Sequence, residues 1–183
     1  MLKYILLGGL NYLPLTGYQV KQYMENSTTH FWYAQTSQIY RTLDQLEKEG
    51  LVTSEIQEQH DKPDRRIYHI TQKGRDDLRT WLETPMTEIE PVKDTLLLRL
   101  FFSAQLDKET ILTQLRLQRS LHKKQLDLLA HTIKDVIDGQ ARDNPSLQRD
   151  ALMWDITRRN GQIFEEAYIR WLDETIQRIE TEF

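Results

Sequence analysis

The sequence predicts a mainly α-helical protein in two parts, a small N-terminal domain that contains a β-hairpin, followed by a domain of long helices. Three observations predict this class. The 183 residues include only seven Gly and five Pro, and few turns in a chain of this length indicate long helices. Residues 85–91, Pro-Met-Thr-Glu-Ile-Glu-Pro, form the clearest linker. After Pro91 the apolar residues recur at helical spacing only.

The elements before Pro85 are short and varied. The patterns predict helices at residues 2–11, 17–26, 37–49 and about 71–83, with strands at 51–56 and 66–71. Thr16 is a suitable N-cap for the second helix, and Thr36 or Ser37 for the third. Helix, helix, helix, hairpin, helix is the order of a winged helix-turn-helix domain, in which the third helix enters the major groove and the hairpin, the wing, touches the flanking DNA backbone.

The third predicted helix has an apolar face and a polar face. Its apolar residues recur at spacings of four and three, which predicts one buried face of Ile39, Leu43 and Leu46. The opposite, solvent-facing side carries Gln38, Arg41 and Gln45. Arginine can pair with guanine edges and glutamine with adenine edges, each through two hydrogen bonds. This face is therefore a candidate for reading DNA sequence.

Two more residues of this helix are candidates for DNA contacts. Ser37 can bond either a phosphate or a base edge. The hydroxyl of Tyr40, near the helix N-terminus, suits a phosphate. The alternative for Tyr40 is a partly buried ring that packs on the wing.

The cations are concentrated at the hairpin although the chain as a whole is acidic. It carries 24 Lys and Arg against 28 Asp and Glu, a net charge of −4, which excludes a uniformly basic nucleic-acid binder. Residues 61–75 carry two anions and five cations, a local charge of +3, and the cations are Lys62, Arg65, Arg66, Lys73 and Arg75. Binding to phosphates needs only local cations. The alternative is a solvated charged hairpin, but its position directly after a helix with a polar face favours DNA binding.

The sequence contains no signature of an enzyme or a metal site. The absence of Cys excludes disulfides and thiolate ligands, and the five His show no pair at metal-ligand spacing with a carboxylate partner. We predict no catalytic residue, no metal and no cofactor, and we expect His122, His131 and the pair Glu165-Glu166 on solvated helix faces. The apolar runs are too short to span a bilayer, so a soluble, cytoplasmic protein without membrane contacts is expected.

The residues after Pro91 predict helices at 93–105, 108–138 and 146–182. The last helix carries two apolar stripes, one of Ile169, Leu172, Ile176, Ile179 and Phe183, the other of Gly161, Phe164, Tyr168 and Trp171. Two stripes are more than one antiparallel partner needs to cover, which favours burial against a second chain. We therefore predict a DNA-binding domain at 1–85, a connector with a short apolar helix at 86–105, and a helical dimerisation domain at 106–183.

A set of short motifs runs through both halves of the chain. They are Ile5-Leu6-Leu7-Gly8-Gly9-Leu10, Thr16-Gly17-Tyr18, Phe31-Trp32-Tyr33-Ala34-Gln35-Thr36-Ser37-Gln38-Ile39-Tyr40, Glu49-Gly50-Leu51, Tyr68-His69-Ile70-Thr71 and Trp81-Leu82. In this order and spacing they resemble the PadR family of transcriptional regulators. The stretch from Val92 to Phe102 and the long C-terminal helices resemble the larger subtype, whose C-terminal domain is similar to that of virulence-gene activators.

The resemblance implies a homodimeric repressor that binds a palindromic operator. Members of the larger subtype often release DNA when they bind phenolic acids. By family position, the residues at or near DNA are Tyr18, Ser37, Gln38, Tyr40 and Arg41, with Lys62, Arg65 and Arg66 on the wing.

An effector site is a further expectation, and the alternative functions stay open. An aromatic carboxylic acid would bind in a pocket where the domains meet, lined by Tyr18, Phe31, Phe101, Trp154 and Phe164, with Arg158 pairing its carboxylate. The alternative is that these aromatic residues are core and that Arg158 is a surface charge. The competing function is a protein-interaction module, a helical dimer whose winged domain docks another protein.

Overall fold

The computed structural model describes residues 1–28, 31–58 and 64–183. They form two compact units, Met1–Ile89 and Glu90–Phe183. Most of these residues are helical, and one small antiparallel sheet lies in the first unit. The predicted fold class, mainly α with an N-terminal winged helix and long C-terminal helices, is confirmed. No helix in the described ranges is long and apolar enough to cross a membrane.

The first unit follows the predicted order of elements. In chain order they are α1 (Leu2–Tyr12), β1 (Leu15–Thr16), α2 (Gly17–Ser27), α3 (Thr36–Lys48), β2 (Val52–Gln57), β3 (Arg65–Ile70) and α4 (Gln72–Glu83). Most ends of the predicted elements agree with these bounds to within one residue. The exception is β1, whose two residues are too few to form a sequence pattern.

The sheet has the strand order β1-β3-β2, and both pairs are antiparallel. Tyr68 lies opposite Leu15 on one side and Ser54 on the other, and Arg66 lies opposite Ile56. Because side chains alternate along a strand, Arg66 and Tyr68 point to the same face of the sheet. Strands β2 and β3 are the predicted hairpin.

Capping of α2 is as predicted, whereas capping of α3 is not. The side chain of Thr16 accepts a hydrogen bond from the Gln19 N–H at 3.2 Å, and the Gln19 side chain accepts one from the Thr16 N–H at 2.9 Å. At α3, Oε1 of Gln38 accepts from the N–H of Gln35 at 3.0 Å. The N-cap is Gln35, and the prediction of Thr36 or Ser37 is wrong because both residues already belong to the helix.

The core of the first unit fixes α3 through its apolar face. The buried side chains of this core are Leu6, Leu7, Leu10, Leu15, Val20, Met24, Ile39, Leu43, Leu46, Leu51, Val52, Tyr68 and Leu78. Gly50 ends α3 with φ +70°, a left-handed conformation that suits glycine at the end of a helix. The three predicted apolar positions of α3 are therefore confirmed as its buried face.

The second unit is helical over the whole of its predicted long segments. Its helices are α5 (Thr95–Phe101), α6 (Lys108–Asp127), a π-helical segment (Leu128–Ile133), α7 (Lys134–Asp143) and α8 (Gln148–Glu182). The predicted single helix at 108–138 is thus interrupted by π-helical hydrogen bonding. Such segments are rare and often mark functional positions in a helix.

Helices α6 and α8 pack antiparallel around a small apolar core. Leu172 of α8 is fully buried against Ile111 and Leu115 of α6, and Leu96 and Leu100 of α5 pack on the same cluster. Ion pairs follow in reverse order along the two helices: Arg116 with Glu180, Arg119 with Asp173 and His122 with Glu165. This order establishes the antiparallel packing.

The apolar stripes of the last helix are covered differently from the prediction. Tyr168, Trp171, Ile176 and Ile179 pack against the α6 core within the chain itself. The exposed apolar residues of α8 are concentrated instead in its N-terminal half, at Leu152, Met153, Ile156, Ile163 and Phe164. Of these exposed residues, only Phe164 belongs to a predicted stripe, so most of the exposed apolar surface of α8 lies outside the two stripes.

Three polar residues lie inside the second unit, although a surface position was predicted for two of them and considered for the third. Arg158 is only 5% exposed and Glu165 8%, and the side chain of His122 is 20% exposed. Nδ1 of His122 and Oε2 of Glu165 are 2.5 Å apart, so the two side chains are hydrogen-bonded to each other between α6 and α8. The prediction of solvated faces is wrong for His122 and Glu165, and the alternative of a surface charge is wrong for Arg158, whereas the prediction is confirmed for the exposed His131.

Arg158 is satisfied by three partners. Its Nε donates to Asp155 at 2.7 Å, and its Nη1 donates to Gln162 at 3.0 Å and to the carbonyl oxygen of Leu129 at 3.1 Å. Leu129 belongs to the π-helical segment. A buried guanidinium needs such partners, which is why this residue does not behave as a surface charge.

A polar network ties α5 to the α6–α8 pair. The Tyr168 hydroxyl donates to Oδ2 of Asp94 at 2.6 Å, and the Tyr168 ring stacks on His122 with 4.2 Å between centroids. Burial and the hydrogen bond to Asp94 raise the pKa of Tyr168 above its usual range. Partial burial opposes ionisation of Asp94, but the bonds from Tyr168 and the Leu97 N–H hold its pKa below the usual value. Asp94 is therefore an ionised N-cap for α5 at neutral pH.

Candidate nucleic-acid interface

Helix α3 carries three stripes of side chains, because residues three and four apart share a face. The buried stripe is Ile39, Leu43 and Leu46. A second stripe, Asp44 and Glu47, contacts the hairpin. The third stripe is polar and exposed, and consists of Gln38, Arg41 and Gln45. The structure thus brings together on one face the three residues that the sequence placed there.

The exposed stripe keeps hydrogen-bonding groups available to solvent. No carboxylate in the described ranges lies within ion-pair distance of Arg41, and Ser37 is exposed in the first turn. The side-chain amide of Gln45 donates to Glu49 at 2.8 Å in an exposed contact. Oε1 of Gln38 accepts the hydrogen bond from the N–H of Gln35, so the amide NH₂ of Gln38 is the group that faces outward.

Tyr18 and Tyr40 line an open groove between α2, α3 and β3. The groove has a volume of about 620 Å³ and is also lined by Gln22, Arg65 and Arg66. Tyr18 is 61% exposed in the first turn of α2, and its hydroxyl accepts from Gln22 at 3.2 Å. The ring of Tyr40 lies against Gly17, where a Cβ would collide with it. Tyr40 is therefore packed on α2 while its side chain stays partly exposed.

Most of the cations near the wing are engaged within the protein. Nζ of Lys73 donates to the carbonyl oxygen of Glu49 at 2.7 Å, and Arg75 donates to Asn11. Arg65 is exposed, and no carboxylate among the described residues pairs with it. Lys62 lies outside the described residues. The local charge of +3 at residues 61–75 is therefore not a single solvent-facing patch.

Arg66 connects the hairpin to α3. Its Nε donates to Ser54 at 2.9 Å, its Nη1 to Asp44 at 3.3 Å, and its Nη2 to Glu47. Ser54 in turn donates to Glu47 at 2.6 Å, and the guanidinium lies 5.2 Å from the ring centre of Tyr68. We name Arg66, Asp44, Glu47 and Ser54 the wing latch. Its acidic members, Asp44 and Glu47, were not among the predicted site residues, although their spacing of three residues indicates that they share a face.

The residues predicted for an effector site are distributed over both units. In the first unit, Tyr18 and Phe31 are exposed. In the second unit, Phe101 and Phe164 are exposed, Trp154 is half-buried and Arg158 is buried, as described above. No group of three or more His, Asp or Glu side chains in the described ranges is arranged to hold a metal ion.

Two family models match the chain, one in each half. Residues 6–80 match the transcriptional regulator PadR-like family, and residues 92–180 match the virulence activator alpha C-terminal domain. A probable transcriptional regulator of Mycobacterium tuberculosis is 28% identical over 174 residues, which cover 90% of each chain. The negative transcriptional regulator PadR of Bacillus subtilis is 34% identical over 109 residues, 60% of each chain.

Solved structures of that Bacillus subtilis protein have the same fold over the whole chain. Its complex with operator DNA aligns with a TM-score of 0.76 at 26% identity and covers 97% of this chain and 98% of the other. Its complex with p-coumaric acid aligns with a TM-score of 0.71 at 25% identity and covers 98% of each. The chain therefore carries a PadR-like domain followed by a virulence activator alpha C-terminal domain, and the proteins it is similar to are transcriptional regulators and not enzymes.

Proposed function

We propose that this chain is a dimeric repressor that binds a palindromic operator through α3 and the wing and leaves it on binding a small aromatic carboxylic acid. The observation that carries the proposal is the exposed polar stripe on α3. Its opposite face is buried in the core, so the stripe is held on a rigid element. The Bacillus subtilis relative, solved with operator DNA, supports the same use of this fold.

The stripe has the chemistry needed to read base edges. A helix fits the major groove, and Arg41 and Gln45, one turn apart, would reach neighbouring base pairs. The exposed bond between Gln45 and Glu49 competes with water and is readily exchanged for a base. We assign Ser37 and the amide NH₂ of Gln38 to the phosphates or bases at the N-terminal end of α3.

Phosphate contacts would come from the groove and the wing. Tyr18, Tyr40 and Arg65 all line the groove, and both tyrosines are exposed. We place Arg65 and Lys62 against the DNA backbone, where each neutralised phosphate releases counterions and makes binding depend on salt.

The dimer would form through the exposed apolar face of the second unit. The exposed residues of this face are Leu117 and Leu121 on α6 with Leu128 at the start of the π-helical segment, and Leu152, Ile156 and Ile163 on α8. Both sets recur at spacings of four and then seven residues, which is the seam of a helix that packs on another helix. Two copies related by a two-fold axis would place their α3 helices in successive major grooves, roughly 34 Å or a multiple apart.

Replacing Arg41 by Ala should weaken operator binding by about 1–3 kcal/mol and relax the preference at one base position, because Arg41 would pair with a base edge. The measurement is fluorescence anisotropy with the duplex that the wild-type protein selects from a random library. Arg178→Ala is the matched control, since this exposed arginine of α8 pairs with Glu182 on its own helix. Unchanged affinity of Arg41→Ala would count against α3 as the recognition helix.

The same binding experiment separates the alternative, a protein-interaction module. A repressor selects a duplex sequence and loses affinity steeply as salt rises, whereas an interaction module shows no salt-dependent binding to DNA. Selection of no sequence by the wild-type protein would favour the module.

The effector would pair its carboxylate with Arg158. Of the three described partners of Arg158, only Asp155 is charged, and its side chain is 42% exposed. A ligand carboxylate can therefore compete with Asp155 for the guanidinium, and the aromatic residues Phe101, Trp154 and Phe164 of the same unit would supply ring contacts. The complex of the Bacillus subtilis relative with p-coumaric acid supports this ligand class.

Millimolar p-coumaric acid should lower operator affinity at least tenfold, about 1.4 kcal/mol of coupling, and change the Trp fluorescence. Acetate at the same concentration is the control, since it has the carboxylate without the ring. An unchanged affinity and an unchanged fluorescence with several phenolic acids would contradict the effector part of the proposal and leave operator binding standing.

A further inference from the structure

Arg66 is the wing cation with the least freedom to reach DNA. Each of its three guanidinium nitrogens has a partner within the protein, and two of those partners are carboxylates of α3. Glu47 is itself held by the hydroxyl of Ser54. Contact with a phosphate would therefore require Arg66 to abandon a pair of charge-assisted hydrogen bonds.

The acidic partners make this exchange unfavourable. Asp44 and Glu47 lie on the stripe of α3 next to the one that would face DNA, and both would repel phosphates if Arg66 moved away. Asp44 is 53% exposed and Glu47 30%, so solvent screens them only in part. The latch thus masks two negative charges beside the proposed binding surface as well as joining two elements.

The latch also joins α3 to the outer part of the hairpin, beyond Val52 and Tyr68, which are the residues of β2 and β3 that are buried in the apolar core. Arg66 lies near the start of β3, opposite Ile56, whose side chain is exposed. Among the described residues, the side-chain hydrogen bonds from this part of the hairpin to α3 are those of the latch residues. Base readout tolerates errors of only about 0.5 Å and 10–20°, so the angle between α3 and the wing has to be fixed by such contacts.

We infer that Arg66 is a positioning residue for operator recognition, which holds α3 and the wing at a fixed angle through Asp44 and Glu47 and does not neutralise a phosphate. This inference rests on the proposed function. It differs from the expectation drawn from the family resemblance, in which Arg66 and Arg65 both lie against DNA.

The two roles predict different results for Arg66→Ala. The readouts are the ratio of affinities for the selected duplex and a scrambled duplex, and the slope of log affinity against log salt. A positioning residue should lower the ratio at least tenfold, with a salt slope within about half a unit of wild type. Arg65→Ala is the matched control, because a phosphate contact should lower both affinities equally and reduce the slope by about 0.9.

A double-mutant cycle tests the partner. Glu47→Ala should lower the ratio by a similar factor, and the double variant Arg66→Ala with Glu47→Ala should be no worse than Arg66→Ala alone, since both remove the same contact. Thermal unfolding of each variant checks that the exposed latch can be removed without unfolding the unit.

Two results would overturn the inference: an Arg66→Ala variant that behaves like Arg65→Ala, or additive losses in the cycle. Failure of the wild-type protein to select any duplex would instead overturn the proposed function, and the inference with it. The outcomes are therefore distinguishable in one set of titrations.

Discussion

Replacing Gly74 by Ala is expected to destabilise the first unit by about 3 kcal/mol or more, because a Cβ there would overlap the carbonyl oxygen of Leu51. Ile70 would also be close, with its Cγ1 2.9 Å from the added carbon. The Leu51 carbonyl cannot reorient to make room for the Cβ without breaking its own hydrogen bonds. It accepts a hydrogen bond from the backbone N–H of Thr71 at 3.0 Å, and it shares the single hydroxyl proton of Thr71 with the carbonyl oxygen of Gly50.

The effect would reach the recognition helix, because Thr71 caps α4 and fixes the chain just after α3. Its hydroxyl accepts from the Gly74 N–H at 3.1 Å and donates to the carbonyl of Gly50. The measurement is urea denaturation combined with hydrogen exchange of the amides in β2 and α3. The amides of both β2 and α3 should exchange faster in the variant than in the wild-type protein.

Gly139→Ala is the matched control for Gly74→Ala. Gly139 also lies in a helix, but no atom is within 4 Å of the added Cβ. Alanine should therefore stabilise α7 by roughly 0.5–1 kcal/mol, through its better helix propensity. Equal effects of the two substitutions would contradict the close approach of α4 to the end of α3.

Leu172→Ala is expected to cost about 2–5 kcal/mol of stability in the second unit, because the side chain is fully buried against Ile111 and Leu115. The unit has few buried apolar residues, so the loss is a large part of its total stability. The measurement is calorimetric or urea unfolding at fixed protein concentration, because a dimer makes stability depend on concentration.

An exposed leucine provides the comparison for Leu172. Leu98 of α5 is 61% exposed, so Leu98→Ala should change the free energy of unfolding by no more than about 0.5 kcal/mol. A large effect at Leu98 together with a small one at Leu172 would mean that α8 does not pack on α6 as described.

The fold could be predicted because its signals are local. The spacing of Ile39, Leu43 and Leu46 fixes both the helix and its buried face, and the Thr16 side chain marks where α2 begins. The spacing also identified the exposed stripe of α3, whose role in DNA binding stays a prediction. Periodicity is enough here because a helix buries one face whichever neighbour covers it.

The errors concern partners that are distant in sequence. His122 and Glu165 are polar residues on separate helices, and no pattern within either helix indicates that they face each other. The wing latch is similar, since Arg66 is 22 residues from Asp44 and 19 from Glu47. A count of local charge therefore overestimated the cations available to DNA, because it did not include their partners in the fold. These are carboxylates for Arg66 and neutral oxygen atoms for Lys73 and Arg75.

The π-helical segment between α6 and α7 changes the phase of the helix that it interrupts. One extra residue in a turn rotates all later side chains by about 100°, the angle of one residue in an α-helix. A seam that begins at Leu117 and Leu121 therefore does not continue onto the same side beyond Leu128. The side chains of α7 therefore point in other directions than a continuous α6 would give them. Within the same segment, the carbonyl oxygen of Leu129 accepts a hydrogen bond from the buried guanidinium of Arg158.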